Sequence, residues 1–403
     1  MINRDFYLNK IKNFIDTDLI KVITGMRRCG KTTMLKLIIE ELKNNRQISE
    51  ENIFFISFES SKYKWIDNPK ELDEIIFKLT ENRNEKTYLF FDEIQNVKGW
   101  EKSIVSYMVD IDCDLYITGS NSNLLSGELA THLAGRYVEF RIYPLSFNEI
   151  LTYQSKRKEL NKYEEIELFE EYREYGGLPY LQKLKDGKTN YINNVYDSIL
   201  LKDVIRRYDV RDIDFLERLI YFLIDNIGHI FSANSISKFF KHEKRKANPE
   251  KILNYIKLLR NALIFSQVKR EDLKGKEILS VNEKYYLMDH GFYKALVGDN
   301  DHNEGQKLEN IVYNELLRRD YEITVGIYGD LEIDFVCKKN KYMIYVQVSE
   351  TLKGEYTRER EFRPLEKIKD NFPKYIITED ITDYSKHGIT TINIIDFLKD
   401  ESI

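Results

Sequence analysis

The chain has 403 residues, 42% of them hydrophobic, and a formal net charge of −5. That length supports two to four domains with separate cores, and the composition excludes a disordered chain. Three scattered cysteines exclude a disulfide framework and a CxxC metal knuckle, no apolar run approaches the ~18 residues of a transmembrane helix, and the acidic balance confines nucleic-acid binding to a local patch.

MINRDFYLNK lacks an apolar signal-peptide core, so a cytoplasmic protein with no membrane partner is expected. LIKVIT, residues 19–24, suits a buried parallel strand. GMRRCGKTT follows and matches G-x-x-x-x-G-K-[ST] through Gly25, Gly30, Lys31 and Thr32; MLKLIIEEL then reads as a helix. The glycines let backbone N–H groups turn inward on phosphate oxygens, and the helix N-terminus adds partial positive charge. The expected nucleotide contacts are Gly25, Arg27, Arg28, Cys29, Gly30, Lys31, Thr32 and Thr33. Lys31 is placed on the β- and γ-phosphates and the Thr32 hydroxyl on Mg²⁺; Cys29 reads as a small filler rather than a redox switch.

IFFISFE, Ile53 to Glu59, reads as a second strand, and TYLFFDEIQ, Thr87 to Gln95, as a third that ends in Asp92 and Glu93. Asp92 fits the acid that holds Mg²⁺, and Glu93 fits the base that orients attacking water. A strand inserted between the two motif strands, with Glu after Asp, points to the additional-strand, catalytic-glutamate branch of P-loop NTPases. IFFISFE is the expected insertion. CDLYITGSNSNLL supplies Thr118, Ser120 and Asn121 as candidate γ-phosphate sensors, of which Ser120 is taken as a nucleotide contact. In THLAGRYVEFRIYPLSFNEI, Arg136 reads equally as an arginine finger, an in-cis phosphate sensor or a structural arginine on a strand edge. Action in trans would require an oligomer.

GMRRCGKTT, FFDEIQ, ITGSNSNLL, LAGRY and PLSFNEI, in that order, resemble one family of archaeal and bacterial AAA-type ATPases. Its members usually carry a C-terminal domain of unknown function. EYGGLPYL, Glu174 to Leu181, is similar to that family's glycine-glycine segment after the ATPase core. The resemblance implies ATP binding and hydrolysis. The choice of ATP as nucleotide comes from the resemblance, since no motif reads a nucleobase.

The ATPase domain is expected over 1–150 and a charged helical lid or connector over 151–210, broken at Gly176, Gly177 and Pro179. Arg206 and Arg207 read as the end of a packed connector helix or as arginines that reach the nucleotide. Residues 211–300 read as a winged helix-turn-helix: DIDFLERLIYFLIDNIG, then SANSISKFF capped by Ser232, then a helix opened by Pro249, then a hairpin turning near Gly275. KHEKRK, Lys241 to Lys246, is its densest basic run and meets DNA phosphates in one reading, solvent in the other. Asn254, Lys257, Arg260 and Asn261 either reach bases or face water.

Residues 301–403 read as helix, three strands, helix, strand, the order of a restriction-endonuclease-like α/β domain. Its chemistry needs a carboxylate on the second strand, an oxygen on the third and a lysine two residues on. Asp334 fits the first role, and Glu309 on the opening helix fits an auxiliary acid. Gln347 stands where an acid is usual and Ser349 where lysine is usual; Lys353 is the nearest substitute in sequence. Glu309, Asp334 and Gln347 therefore mark a vestigial second metal site. The leading expectation is an ATPase that switches C-terminal domains on nucleic acid or a protein partner. An ATP-gated metal-dependent nuclease and a nucleotide-dependent scaffold are the alternatives.

Overall fold

The computed structural model describes residues 2–401 except 82, 84, 121–132, 134, 243–246, 276 and 299–302. Asn121 and most of the KHEKRK run lie outside the described residues. The chain forms two compact units: Met1–Pro144 with Asn261–Leu263, and Leu145–Arg260 with Ile264–Ile403.

The first unit is built on five parallel strands, β1 (Ile20–Thr24), β2 (Ile53–Ser57), β3 (Thr87–Asp92), β4 (Cys113–Gly119) and β5 (Tyr137–Arg141). Their order is β2-β3-β4-β1-β5. β1 and β3 are buried along their whole length, as expected of parallel strands covered on both faces. Val22, Ile56, Leu89, Phe91, Ile117, Trp100, Ile104 and Tyr107 form one core beneath helices such as Pro69–Thr80 and Trp100–Asp110. Asn68 caps the first of these by accepting from the Glu71 N–H, with Pro69 in the first turn. The motif strands β1 and β3 are separated in space by β4, not by IFFISFE. IFFISFE is the edge strand β2; it is inserted in sequence only. Long crossovers free strand order from chain order, so β4 fills the gap.

The second unit begins with helices Phe147–Ser155, Lys162–Tyr175 and Lys188–Ile199. The second ends where Gly176 takes φ 78°. Arg207 pairs with Asp203 of its own turn at 3.7 Å. Helices Ile213–Asp225, Ala233–His242 and Pro249–Asn261 follow. Ser232 accepts from the Ser235 N–H at the start of the middle one.

Seven strands complete this unit: β6 (Phe265–Asp272), β7 (Glu277–Leu287), β8 (Glu322–Tyr328), β9 (Leu331–Lys339), β10 (Tyr342–Ser349), β11 (Lys374–Thr378) and β12 (Ile389–Asn393). They form one sheet in the order β12-β11-β10-β9-β8-β6-β7. The break expected near residue 300 thus falls inside a continuous sheet, because Arg270–Asp272 of β6 pair in parallel with Val325–Ile327 of β8. An exposed hairpin edge has unpaired backbone groups, and β8 satisfies them. β12 and the closing helix Ile394–Lys399 have no counterpart among the expected elements. Among the described residues, no helix is long and apolar enough to cross a membrane.

Candidate active site

The phosphate loop leaves the carboxyl end of β1. Gly25 has φ 153°, and a Cβ there would lie 2.3 Å from the Ile142 carbonyl oxygen and 2.8 Å from the Cys29 sulfur. Gly30, at φ 110°, turns the chain into the helix Lys31–Asn44. A Gly25→Ala substitution is expected to cost about 1–3 kcal/mol through backbone strain and to weaken nucleotide binding. Thermal melting and a nucleotide titration check both effects. Cys29 is fully buried, and burial pushes its thiol above the usual range, consistent with packing rather than redox chemistry.

Lys31 is 4% exposed. Its ammonium donates to the carbonyls of Gly25 (3.1 Å) and Met26 (3.3 Å) and lies 3.3 Å from Glu93 Oε1. The Thr32 hydroxyl reaches both Asp92 oxygens, at 3.0 and 3.1 Å. Thr118 Oγ1 on β4 donates to Asp92 Oδ1 at 2.9 Å, and Ser57 Oγ on β2 to Oδ2 at 3.1 Å. Thr118 also accepts the Glu93 N–H at 2.9 Å. The carboxyl ends of β2, β3 and β4 and the first turn of the helix Lys31–Asn44 therefore meet at one carboxylate, the position where open parallel sheets bind ligands.

The neighbouring acids differ in character. Burial pushes the Asp92 carboxyl above the usual range; the Thr118 and Thr32 hydroxyls pull it back, and nearby Glu93 pushes it up again. Burial also raises Glu93, but Lys31, the Gln95 amide and Arg27 together hold it below the usual range. Glu93 sits in the left-handed region at φ 56°, which turns its side chain off the strand toward Lys31. A carboxylate and hydroxyls are the hard oxygen donors that suit Mg²⁺ held jointly with phosphates. Ser120, just past β4, has a buried hydroxyl oxygen with no hydrogen-bond partner among the described residues.

The other expected contacts divide. Arg27 pairs with Glu59 at 3.1 Å, Arg28 is exposed at φ 69°, and Thr33 continues the helix. Arg136 is not brought to this site. Its carbonyl accepts the N–H of Ile20, the first residue of β1, and Tyr137 opens β5 opposite Ile20. Arg136 thus lies at the amino edge of the sheet, about 16 Å of strand away from the loop, which excludes an in-cis phosphate sensor. Strand direction decides this, and motif order does not report it.

In the second unit, Asp334, Glu309 and Gln347 do converge, lining a cleft of about 680 Å³. A lysine joins them from an unexpected strand. Lys284 of β7, 3% exposed along its side chain, lies 3.0 Å from Glu309, 2.8 Å from Glu332 and 3.7 Å from Asp334. Burial alone would lower its pKa; Glu309, Asp334 and Glu332 overcome that and raise it. Asp334 is pushed well up by burial and by Glu309, with Lys284 pulling the other way. Gln347 turns its amide oxygen to the Asp334 N–H (2.9 Å) and its amide nitrogen to Glu361 (3.0 Å). Lys353, the substitute suggested by sequence, is 3.9 Å from Asp380. Among the described residues, no three His, Cys, Asp or Glu side chains are arranged to hold a metal ion. The cluster as built does not fit one: the ammonium bridges the carboxylates and the Gln347 oxygen is engaged.

Sequence reading missed Lys284 and Glu361, and it missed Arg4, whose guanidinium lies behind the phosphate loop. Single polar residues in otherwise ordinary segments give no periodic or motif signal for such roles.

Comparison with known proteins agrees with the first unit. The family described as "AAA domain" matches residues 17–151, and "Domain of unknown function (DUF8612)" matches residues 166–303. An uncharacterised protein of Haemophilus influenzae is 39% identical over 99% of this chain and 98% of its own length. One from Methanocaldococcus jannaschii is 31% identical over 98% of this chain and 88% of its own length. Among solved structures, the Aeropyrum pernix Orc1 protein in complex with DNA is 12% identical, with a TM-score of 0.33 over 74% of this chain and 93% of that one. Cdc6p from Pyrobaculum aerophilum is 11% identical, with a TM-score of 0.31 over 78% and 95%. Scores of that size carry no argument about function. With relatives matched end to end and the AAA match over the loop and both acids, the chain belongs to the archaeal and bacterial family of AAA-domain P-loop proteins that carry a C-terminal domain of unknown function.

Proposed function

We propose that this protein binds ATP with Mg²⁺ at the phosphate loop, hydrolyses it, and uses the cycle to switch the state of its C-terminal unit on a nucleic-acid or protein partner. The convergence of Lys31, Thr32, Asp92 and Glu93 carries the reading. Lys31 exchanges its loop carbonyls for the β- and γ-phosphates, with the backbone N–H groups between Gly25 and Lys31 beside it. Thr32 and Asp92 hold the cation, which neutralises phosphate charge when bound. Glu93, held ionised at neutral pH by Lys31, orients and deprotonates the attacking water. Ser120 offers its hydroxyl to the γ-phosphate. Membership of the AAA-domain family favours ATP.

The three helices before the β6–β7 hairpin support the winged-helix reading, with Asn254, Lys257 and Arg260 exposed on the third. The adjoining cleft is read as a binding site descended from a nuclease-like centre, with Lys284 as its internal cation. Purified protein is expected to release phosphate from ATP in a Mg²⁺-dependent reaction. In Lys31→Ala both ATP binding and turnover disappear; retained binding in that variant overturns the assignment.

A further inference from the structure

We infer that Arg4 is a positioning residue for the phosphates, acting through the backbone of the loop. The inference rests on the ATP-binding reading above. Arg4 precedes the helix Asp5–Lys12 and is 2% exposed. Nη1 donates to the Cys29 carbonyl at 3.0 Å; Nη2 donates to the carbonyls of Tyr143 at 2.9 Å and Pro144 at 3.4 Å. One planar guanidinium therefore ties the phosphate loop to the chain that leaves β5. Gly25 is pressed against the same stretch at Ile142, so both ends of the loop are seated on residues 142–144.

The peptide bond makes this tie directional. No peptide in the described chain is cis, and a planar trans peptide points its carbonyl and the following N–H in opposite directions. Holding the Cys29 carbonyl on buried Arg4 turns the Gly30 N–H away from the core, on the side where an anion can approach. Arg28 and Gly30, at φ 69° and 110°, give the loop the left-handed turns that gather successive N–H groups into an anion nest. Arg4 fixes one peptide plane of that nest. Its stem and charge also pack over the Tyr7 ring, at 4.6 Å from the centroid, which holds the fork in place. A lysine offers no planar fork to bridge carbonyls on two segments.

The test uses the full chain, with inorganic triphosphate and ATP as probes. In Arg4→Met, affinity for both is expected to fall about tenfold, the effect of one charge-assisted hydrogen bond. KM for ATP should rise more than kcat falls, because Arg4 acts on binding and not on the attacking water. Arg4→Lys should fall between Met and wild type, and it decides the matter where Arg4→Met does not fold. A purely structural role predicts a lower melting temperature without ligand and unchanged affinity in the folded fraction; that result overturns the inference. Loss of triphosphate binding in Lys31→Ala with affinity within twofold of wild type in Arg4→Met removes this inference alone. A wild-type protein that binds neither probe removes the ATP reading with it.

Discussion

Glu93→Gln is expected to reduce ATP turnover on the order of 10²–10⁴-fold, the usual range for removing a general base, while ATP still binds within a few-fold of wild type. The two side chains have the same size, so the left-handed turn at the end of β3 and the contact with Gln95 tolerate the change. What disappears is the negative charge 3.3 Å from the Lys31 ammonium and the basicity needed to take a proton from water. Lys31 loses an anionic neighbour, which leaves its ammonium freer for phosphate. Binding therefore holds or tightens while turnover collapses, and that split distinguishes the base from a residue that only supports the loop. Single-turnover kinetics with a separate nucleotide titration measures it. Turnover within tenfold of wild type would assign the base elsewhere.

Lys284→Met should destabilise the C-terminal unit by about 3–5 kcal/mol, the cost of leaving buried charge without its partner. For a unit of this size that lowers the melting temperature by roughly 10 °C. Among the described residues, Lys284 is the one cation that touches Glu309, Glu332 and Asp334 together. Its removal leaves those carboxylates facing one another in a site where burial already raises Asp334. The sign with pH follows. Lys284 has a raised pKa in the fold, so its contribution is complete below its unfolded value near 10.5 and is lost only as pH rises through the higher folded one. Across neutral pH the wild-type contribution is constant. In Lys284→Met the Asp334 carboxyl, already raised by burial and by Glu309, recovers neutrality by protonation, so the deficit shrinks as pH falls. Adding Glu309→Gln should recover part of the loss, since fewer charges then go unpaired. A melting temperature within 2 °C of wild type would mean that the cluster is solvated and the ammonium dispensable. In the same preparations, Mn²⁺-dependent DNA cutting that Asp334→Asn abolishes would overturn the reading of this cleft as a binding site.

The two clusters share components and differ in what engages them. At the phosphate loop, one carboxylate is held by hydroxyls, and a lysine rests on backbone carbonyls that phosphate oxygens can replace. In the C-terminal cleft, one lysine holds three carboxylates and an amide is bonded on both sides. The first arrangement suits exchange of a charged ligand; the second suits a fixed surface. That contrast is the physical ground for placing the chemistry in the first unit.

The sequence by itself determined the phosphate loop, the strands that carry it and the acidic pair after β3. These signals are local: glycines that permit left-handed turns, apolar runs that demand burial, and a lysine and threonine at the start of a helix. It also determined the helix–strand order from the helix Glu304–Arg318 to β11, though not β12 and the closing helix, and the placing of Glu309, Asp334 and Gln347 on those elements. The tertiary structure alone decided that β4 separates the motif strands, that Arg136 sits at the opposite edge of the sheet, and that β6 and β7 join one sheet with β8 to β12. It also brought Lys284 to Asp334 and Arg4 to Cys29. Such contacts depend on strand order, strand direction and the pairing of distant buried charges. None of these leaves a period or a fixed spacing in the chain, because a lone buried lysine or arginine is legible only when its partners have been folded around it.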